Sequence, residues 1–397
     1  MNDITHSDEK RQNQTTEGKS VCYQVNLQRW FGGGEIYTGF FTRALHDLGW
    51  GTVIFVHPKA TFWEKLLPAG TTLIRVASFK DIASHLPESR CLLVFHTLAR
   101  KDRLDELAQN HIATCFAHMP QYGRDPTVYR AYRLIFAVSQ HVIASLKAAS
   151  IDQVYPLPLY GIASLERGQP SADRQIIAKS VYQWDRKKFR DLLLSYLFPL
   201  YAKFKPRRIY ERKPGLTLGI VSAITPIKQF PLLFRYLAPV IERFPQVNIE
   251  IFGSGGYASI FDLERSLAVI SNQVRFWGQQ SDIKTIYPQF DFLLAGMPEK
   301  EALGLNVIES QCCGTPVLAI LAPPFTETVK EGATGFFYTD PRKDNAEDFA
   351  RLLKMLTEHT AYPDPLLSTG HLEKFSHTAF KNRVQEAMHY AVRLSLQ

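Results

Sequence analysis

The chain has 397 residues, with 46 Lys and Arg against 38 Asp and Glu, and a formal net charge of +8. Its 45% hydrophobic and 21% charged residues suit a chain with a sizeable core, which excludes disorder as the main state. No apolar run reaches the roughly 18 residues of a membrane span, and at roughly 150 residues per domain the length predicts two or three domains.

Residues 1–20 carry no apolar stretch of the signal-peptide kind and read as a disordered tail. The five cysteines (Cys22, Cys91, Cys115, Cys312 and Cys313) form no CxxC pair, and their number is odd. A disulfide framework and a zinc site are therefore not expected, and the thiols fit a reducing, cytoplasmic setting.

From residue 21 to 172, short apolar runs alternate with helical patterns. Val21–Asn26, Thr52–Val56, Thr72–Val76, Cys91–Phe95, Ala113–Phe116 and Leu134–Val138 read as strands, with helices at Gly34–Asp47 and Gln140–Ala149. The runs are almost continuously apolar, as strands buried on both faces are. The glycine cluster Phe31-Gly32-Gly33-Gly34-Glu35 falls between the first strand and the first helix. It is not GxGxxG, so it does not signal a dinucleotide fold.

Residues 173–214 break the alternation. Asp173–Lys213 contains twelve basic residues and four acids, so the whole positive excess of the chain sits there. Within it Phe189, Leu192, Leu193, Leu197 and Leu200 form an apolar stripe at helical spacing, limited by Pro199 and bracketed by basic clusters. The pattern suits an amphipathic segment on an anionic membrane surface (residues 184–213), and equally an insert packed on the domains with its charges in solvent. With the rest of the chain near neutral, a nucleic-acid partner is not expected.

The alternation resumes over 215–375. Strands are expected at Leu216–Val221, Asn248–Phe252, Val274–Phe276, Phe292–Ala295, Pro316–Ala319 and Gly335–Tyr338. Helices are expected at Phe230–Phe244, Tyr257–Val269, Asn306–Cys312, Phe325–Glu331 and Ala346–His359. Residues 376–397 read as a last helix packing back toward the first domain. Two doubly wound α/β domains facing across a cleft follow, with ligands expected beyond the carboxyl ends of the strands.

The densest chemistry lies in Glu299-Lys300-Glu301-Ala302-Leu303-Gly304-Leu305-Asn306-Val307-Ile308-Glu309. A buried strand leads into it and a helix leaves it, so the N–H groups around Gly304, Leu305 and Asn306 would face an anion. Gly304 allows close approach of a ligand. Glu309 falls on the face of Asn306, where a carboxylate can accept hydrogen bonds from a sugar diol. On spacing alone, an ordinary surface loop with two glutamates fits as well. Cys312-Cys313-Gly314-Thr315-Pro316-Val317 follows, with Gly314 as helix C-cap and Pro316 opening a strand.

Glu301 and Glu309 separated by seven residues, then CGTPV, then FTETVKEGATGF at 325–336, resemble the signature of the family 4 retaining glycosyltransferases (group 1 type), which have the GT-B fold. Leu218–Gln229 (LGIVSAITPIKQ) resembles the family loop that grips the donor diphosphate, with Lys228 at the lysine position. Ser222 stands where the family has glycine and Ala223 where it has arginine, so one cation is missing, and Arg275 is the candidate replacement. Gly253-Ser254-Gly255-Gly256 resembles a further family turn. Gly33 and Gly34 resemble the family's N-terminal glycine loop. His118 resembles the histidine placed over the transferred sugar, with His96 as a competitor. Ser139 reads as a helix N-cap.

The resemblance implies transfer of a sugar, with retention, from a nucleotide-diphosphate donor to a glycan or lipid-linked acceptor, in cell-surface polysaccharide or lipopolysaccharide synthesis. Glu301, His118 and Lys228 would be catalytic. Glu309, Gly304, Leu305, Asn306, Gly33, Gly34, Ser222 and Arg275 would bind the donor. No metal or cofactor beyond the nucleotide sugar is implied. Because Ala223 lacks the usual charge, a catalytically silent sugar-nucleotide binder or scaffold is the alternative.

Overall fold

The structure, a computed structural model, describes residues 20–108, 110–163, 175–184, 192–193, 195–196, 208–359 and 361–395. These residues form two six-stranded, all-parallel sheets flanked by helices. The first holds β1 (Val21–Asn26), β2 (Gly51–Val56), β3 (Thr72–Arg75), β4 (Leu92–Phe95), β5 (Ile112–Ala117) and β6 (Leu134–Ala137), in the order 3-2-1-4-5-6. The second holds β7 (Leu216–Val221), β8 (Val247–Phe252), β9 (Val274–Phe276), β10 (Phe292–Leu294), β11 (Val317–Ile320) and β12 (Gly335–Tyr338), in the order 12-11-10-7-8-9.

Strands β4, β5, β6, β8, β10 and β11 are buried along their whole length. That is the cost and the signature of parallel sheets covered on both faces, and it explains the continuous apolar runs in the sequence. In the first sheet the winding reverses between β1 and β4, and in the second between β7 and β10. The carboxyl ends of these four strands are therefore where ligands bind in doubly wound sheets.

The helix His377–Ser395 belongs in space to the first domain. Its Phe380, Val384, Ala387 and Met388 are fully buried in the core built on the first sheet. Phe380 meets Tyr37 of the first helix, Gly33–Asp47, edge-on at 5.7 Å between ring centroids. A second seam joins the domains beside the cleft. Ala163, Leu303, Ile308 and Phe375 form one buried cluster, and a Cβ at Gly161 would come within 2.8 Å of Leu305.

Residues 1–19, and with them nearly all of the expected tail, lie outside the described residues, as do most of the basic clusters and the apolar stripe of the insert. The described parts of the insert run along the β9 edge of the second sheet. Lys179 N–H donates to the Trp277 carbonyl at 2.9 Å, and the Arg208 guanidinium donates to the Phe276 carbonyl at 2.9 Å. Arg212 pairs with Asp291 at 2.6 Å. Among the described residues no helix is long and apolar enough to cross a membrane.

Several helices are shorter than their sequence patterns: Phe230–Ile241 stops short of Phe244, Tyr257–Ser266 short of Val269, and Glu347–Glu358 loses a residue at each end. Phe325–Thr328 ends where Phe325–Glu331 was expected, because the Thr328 carbonyl accepts from the Gln311 side chain at 2.8 Å and Val329 is extended. The chain is thereby turned into the Glu331–Gly335 bridge.

Candidate functional site

A cavity of about 620 Å³ lies between the facing switch points. Its second-domain wall comes from the loop after β7 (Val221, Ser222, Ala223 and Lys228) and from the segment after β10 (Glu301 to Asn306, then Glu309). Its first-domain wall comes from the end of β1, the glycine loop, and the residues after β4 and β5.

Gly304 explains why the segment after β10 turns as it does. Its φ of +80° is a left-handed conformation, and it serves as N-cap of the helix Leu305–Cys312. An added Cβ would press on Phe325 and Val307 at 3.3 Å. Past this turn the first N–H groups of the helix open onto the cavity, the arrangement that favours an anion. Asn306 is fixed by donating from Nδ2 to the Val221 carbonyl at 3.1 Å, which ties the helix start to the end of β7.

Lys228 and Glu301 form a short, direct ion pair across the cavity floor. Burial pushes the Glu301 carboxyl up, but Lys228 and the N–H groups of Ala302 and Gly304, each donating at 3.1 Å, hold it below the usual carboxylate range. Glu309 behaves oppositely. Burial pushes its carboxyl up to about 7, although Tyr287 donates a hydrogen bond to it at 2.8 Å and Lys228 also favours the charged form. Two glutamates on one wall thus differ in charge near neutrality, one ionised and one poised.

The loop that carries Lys228 rests on the glycine cluster after β8. A Cβ at Gly253 would come within 1.8 Å of the Ser222 carbonyl, so only glycine lets the two backbones cross there. Ile224 N–H donates to the Ser254 carbonyl at 2.9 Å. The GSGG run is therefore a support for the Lys228 loop and is not part of the cavity wall.

On the opposite wall, His118 follows β5 and stacks on Phe116 at 5.5 Å and His96 at 5.8 Å. Burial lowers its imidazole to about 4, so the ring is neutral near pH 7. Gly33 and Gly34 line the cavity, and a Cβ at either would meet nothing within 4 Å. No internal crowding requires glycine at these two positions, and the bare backbone leaves room for a ligand.

Of the residues singled out in the sequence, the structure brings His118, Lys228, Glu301, Glu309, Gly304, Leu305, Asn306, Gly33, Gly34 and Ser222 to this one cavity. Arg275 is the correction. Its guanidinium is turned to the Glu250 carboxylate and lies 5.1 Å from the Trp277 ring centroid, outside the cavity lining. Glu250 is 1% exposed, and leaving it unpaired would bury a bare charge, so Arg275 is committed there. The charge missing at Ala223 is not replaced from this side.

Three polar residues of the site escaped the sequence reading. Tyr287, before β10, orients Glu309. Asn26 ends β1, and its Nδ2 donates to Thr38 at 3.0 Å. Glu35, buried at the start of the first helix, has its carboxyl raised by burial against hydrogen bonds from Asn26 and from backbone. The one signal for Glu35 was its place directly after the glycine run.

Two facing α/β domains, with a cation, a helix N-terminus and a poised glutamate gathered at their switch points, define the GT-B fold and its cleft. Residues 203–364 match the model of the family described as glycosyl transferases group 1. A D-inositol 3-phosphate glycosyltransferase of Rhodococcus erythropolis is 32% identical over 181 residues, covering 42% of this chain and 40% of the relative. Its counterpart in Kribbella flavida is 23% identical over 361 residues, 80% of this chain and 81% of the relative. For the first of these relatives, the chain thus spans about two fifths of its length. Among solved structures, Anabaena HepE in complex with UDP superposes with a TM-score of 0.65 at 15% identity, covering 94% of this chain and 100% of that chain.

Proposed function

We propose that this chain is a retaining, metal-independent glycosyltransferase that moves a sugar from a nucleoside-diphosphate donor to a hydroxyl acceptor held by the first domain. The observation that carries the reading is the convergence of Lys228, the helix start at Gly304–Asn306 and Glu309 on the second-domain wall of the cavity. The match of residues 203–364 to the group 1 glycosyl transferase model and a fold shared with a UDP-bound protein support it.

Departure of the diphosphate is the demanding step. Lys228 and the open N–H groups at Leu305 and Asn306 stabilise the charge that develops on it, in the place where a metal ion would otherwise serve. Glu309 accepts hydrogen bonds from the ribose hydroxyls. Glu301, kept ionised, orients donor-sugar hydroxyls and faces the cationic sugar as it forms. Neutral His118 contacts that sugar from the other wall. The leaving phosphate takes the acceptor proton on the same face, which gives retention without an enzyme nucleophile. Closure of the domains limits attack by water.

The acceptor is a glycan or a lipid-linked sugar of cell-surface polysaccharide or lipopolysaccharide synthesis. The confinement of the positive excess to Asp173–Lys213 supports work at an anionic membrane face. Ala223 on the cavity wall favours the second reading, a silent sugar-nucleotide binder.

A thermal-shift screen of UDP-, GDP- and ADP-sugars, followed by hydrolysis assays and NMR of the released anomer, tests the proposal. A stabilising donor that is hydrolysed or transferred with retention is expected. Stabilisation without turnover would leave the silent binder, and inversion would reject the mechanism.

A further inference from the structure

A hollow of about 900 Å³ shares no residue with the cleft cavity. Its size falls among small-molecule sites, which run from roughly 300 to 1,000 Å³. One wall is the first helix, Gly33–Asp47. Its Gly39, Arg43 and His46 recur at steps of four and three residues and so share a face. A second wall is the segment Leu66–Ala69. Gly39 sets how closely the two meet, since a Cβ there would come within 2.8 Å of the Leu66 side chain. Ile162 and His377 complete the hollow.

Those last two residues stand at the two places where the chain passes between the domains. Ala163, next to Ile162, is buried in one cluster with Leu303 and Ile308 of the second domain, and Phe375, two residues before His377, is buried in the same cluster. The crossings are also joined to each other. Ala163 N–H donates to the Phe375 carbonyl at 3.3 Å, and the Arg383 guanidinium donates to the Tyr160 carbonyl at 3.2 Å. The hollow is therefore bounded by both hinge strands as they stand with the domains joined at this seam. A ligand that fits it in this arrangement favours it over one in which the crossings have turned.

The chemistry of the walls is divided. Phe40, Leu66 and Leu67 are half-buried and Ile162 is buried, which gives an apolar floor. Asp47, on the rim, is already engaged, with its carboxylate 3.7 Å from His46 Nδ1 and 3.3 Å from His377 Nε2. Arg43 is exposed and makes no ion pair or hydrogen bond among the described residues. A free guanidinium is a fork for a carboxylate, and the floor beside it takes apolar surface out of water. Together they complement a molecule with an anionic head and an apolar chain.

We propose that this hollow is an effector site for an amphiphilic carboxylate, its head on Arg43 and its chain on the floor between Phe40, Leu67 and Ile162. Occupancy holds the two crossings in the arrangement that sets the cleft walls face to face, and so raises nucleotide affinity. Only this second step rests on the reading of the cleft as a nucleotide site.

Decanoate, kept below its micellar concentration, is the probe. Decanol lacks its charge and butyrate lacks its chain. Calorimetry on the full chain without nucleotide should show decanoate binding tenfold or more tighter than either. Arg43→Gln should bring decanoate down to the level of decanol, Arg43→Lys should keep part of the preference, and Leu67→Ala should weaken decanoate and decanol alike. With decanoate saturating, UDP should bind threefold or more tighter, and UDP should tighten decanoate by the same factor, because coupling between two sites is reciprocal. Arg43→Gln should remove the coupling and leave UDP affinity without decanoate unchanged. If decanoate does not outbind decanol and butyrate, or if its preference survives Arg43→Gln, the site is overturned. If decanoate binds through Arg43 and UDP affinity does not move, the effector role is overturned. UDP binding to the chain without decanoate tests the nucleotide reading separately.

Discussion

The carboxylate of Glu327, on the second domain, accepts a hydrogen bond from the backbone N–H of Gln140, on the first, at 2.8 Å. Its other oxygen takes the N–H of His141 at 2.7 Å. These are the first N–H groups of the helix Gln140–Ala148, whose Ser139 side chain already caps Val142 at 3.2 Å. Ser139 Oγ also donates to the Ala302 carbonyl, beside Glu301. One helix start in the first domain is thus clasped by two elements of the second, next to the cleft cavity.

Glu327→Ala is expected to loosen this clasp. A carboxylate at a helix start contributes about 0.3–1 kcal/mol through the dipole. The open population should rise roughly fivefold. Small-angle scattering with and without UDP reads this as a larger radius for the variant, and identical profiles would show that the clasp does not govern closure.

Lys228→Ala should cut turnover at least tenfold, about 1.4 kcal/mol of transition-state binding. It also strips Glu301 of its cation, so Glu301→Gln on top of Lys228→Ala should recover part of the lost stability. A double-mutant cycle by denaturant titration measures this, and strict additivity would contradict the ion pair. The pH sign is fixed by the lowered Glu301 carboxyl. The pair stabilises the fold above the ordinary carboxylate range, and this contribution fades as pH falls through the lowered value.

Glu309 gives the opposite pH behaviour. Its carboxyl, raised from 4.5 to about 7 by burial, keeps its proton in the folded state where the unfolded chain has lost it. Stability therefore falls as pH rises from roughly 4.5 to 7, and levels off above. Donor binding should tighten over the same window, because a ribose diol donates to the ionised form. Calorimetry of UDP binding in buffers of different ionisation enthalpy at pH 6 should register proton release. Glu309→Gln should remove both the release and the pH slope.

Arg275→Ala should damage the fold and spare the site. Removing one partner of a buried ion pair costs about 3–5 kcal/mol. Glu250 would keep only the Trp277 indole, donating at 2.6 Å. A lower Tm with unchanged UDP affinity in the folded fraction is expected, whereas a specific loss of UDP binding would return Arg275 to the donor site.

Most of the second-domain wall of the cavity could be read from the sequence because its pieces are local. Glu301, Gly304, Asn306 and Glu309 lie within nine residues of a single loop and helix, and helical spacing alone puts Asn306 and Glu309 on one face. Lys228 came from its own strand and loop. What failed was pairing across strands. Arg275 and Glu250 are direct neighbours in the register of β9 on β8, yet 25 residues apart in the chain, so the free arginine of the sequence is a neutralised one in the fold. Tyr287 was hidden for the same reason, since it reaches Glu309 over 22 residues from a turn with no motif of its own. Glu327 sat in a recognised segment, but its partner belongs to the other domain, and no local pattern encodes that contact.

The placement of His377–Ser395 in the first domain's core has a consequence for how the molecule is made. During synthesis residues 21–163 emerge before the second domain, yet the apolar groove filled by Phe380, Val384 and Met388 stays empty until the helix His377–Ser395 leaves the ribosome. The second domain, encoded between these two pieces, has its sheet complete before then. The order of maturation on the ribosome is thus the reverse of the order of translation, and the first domain is finished last.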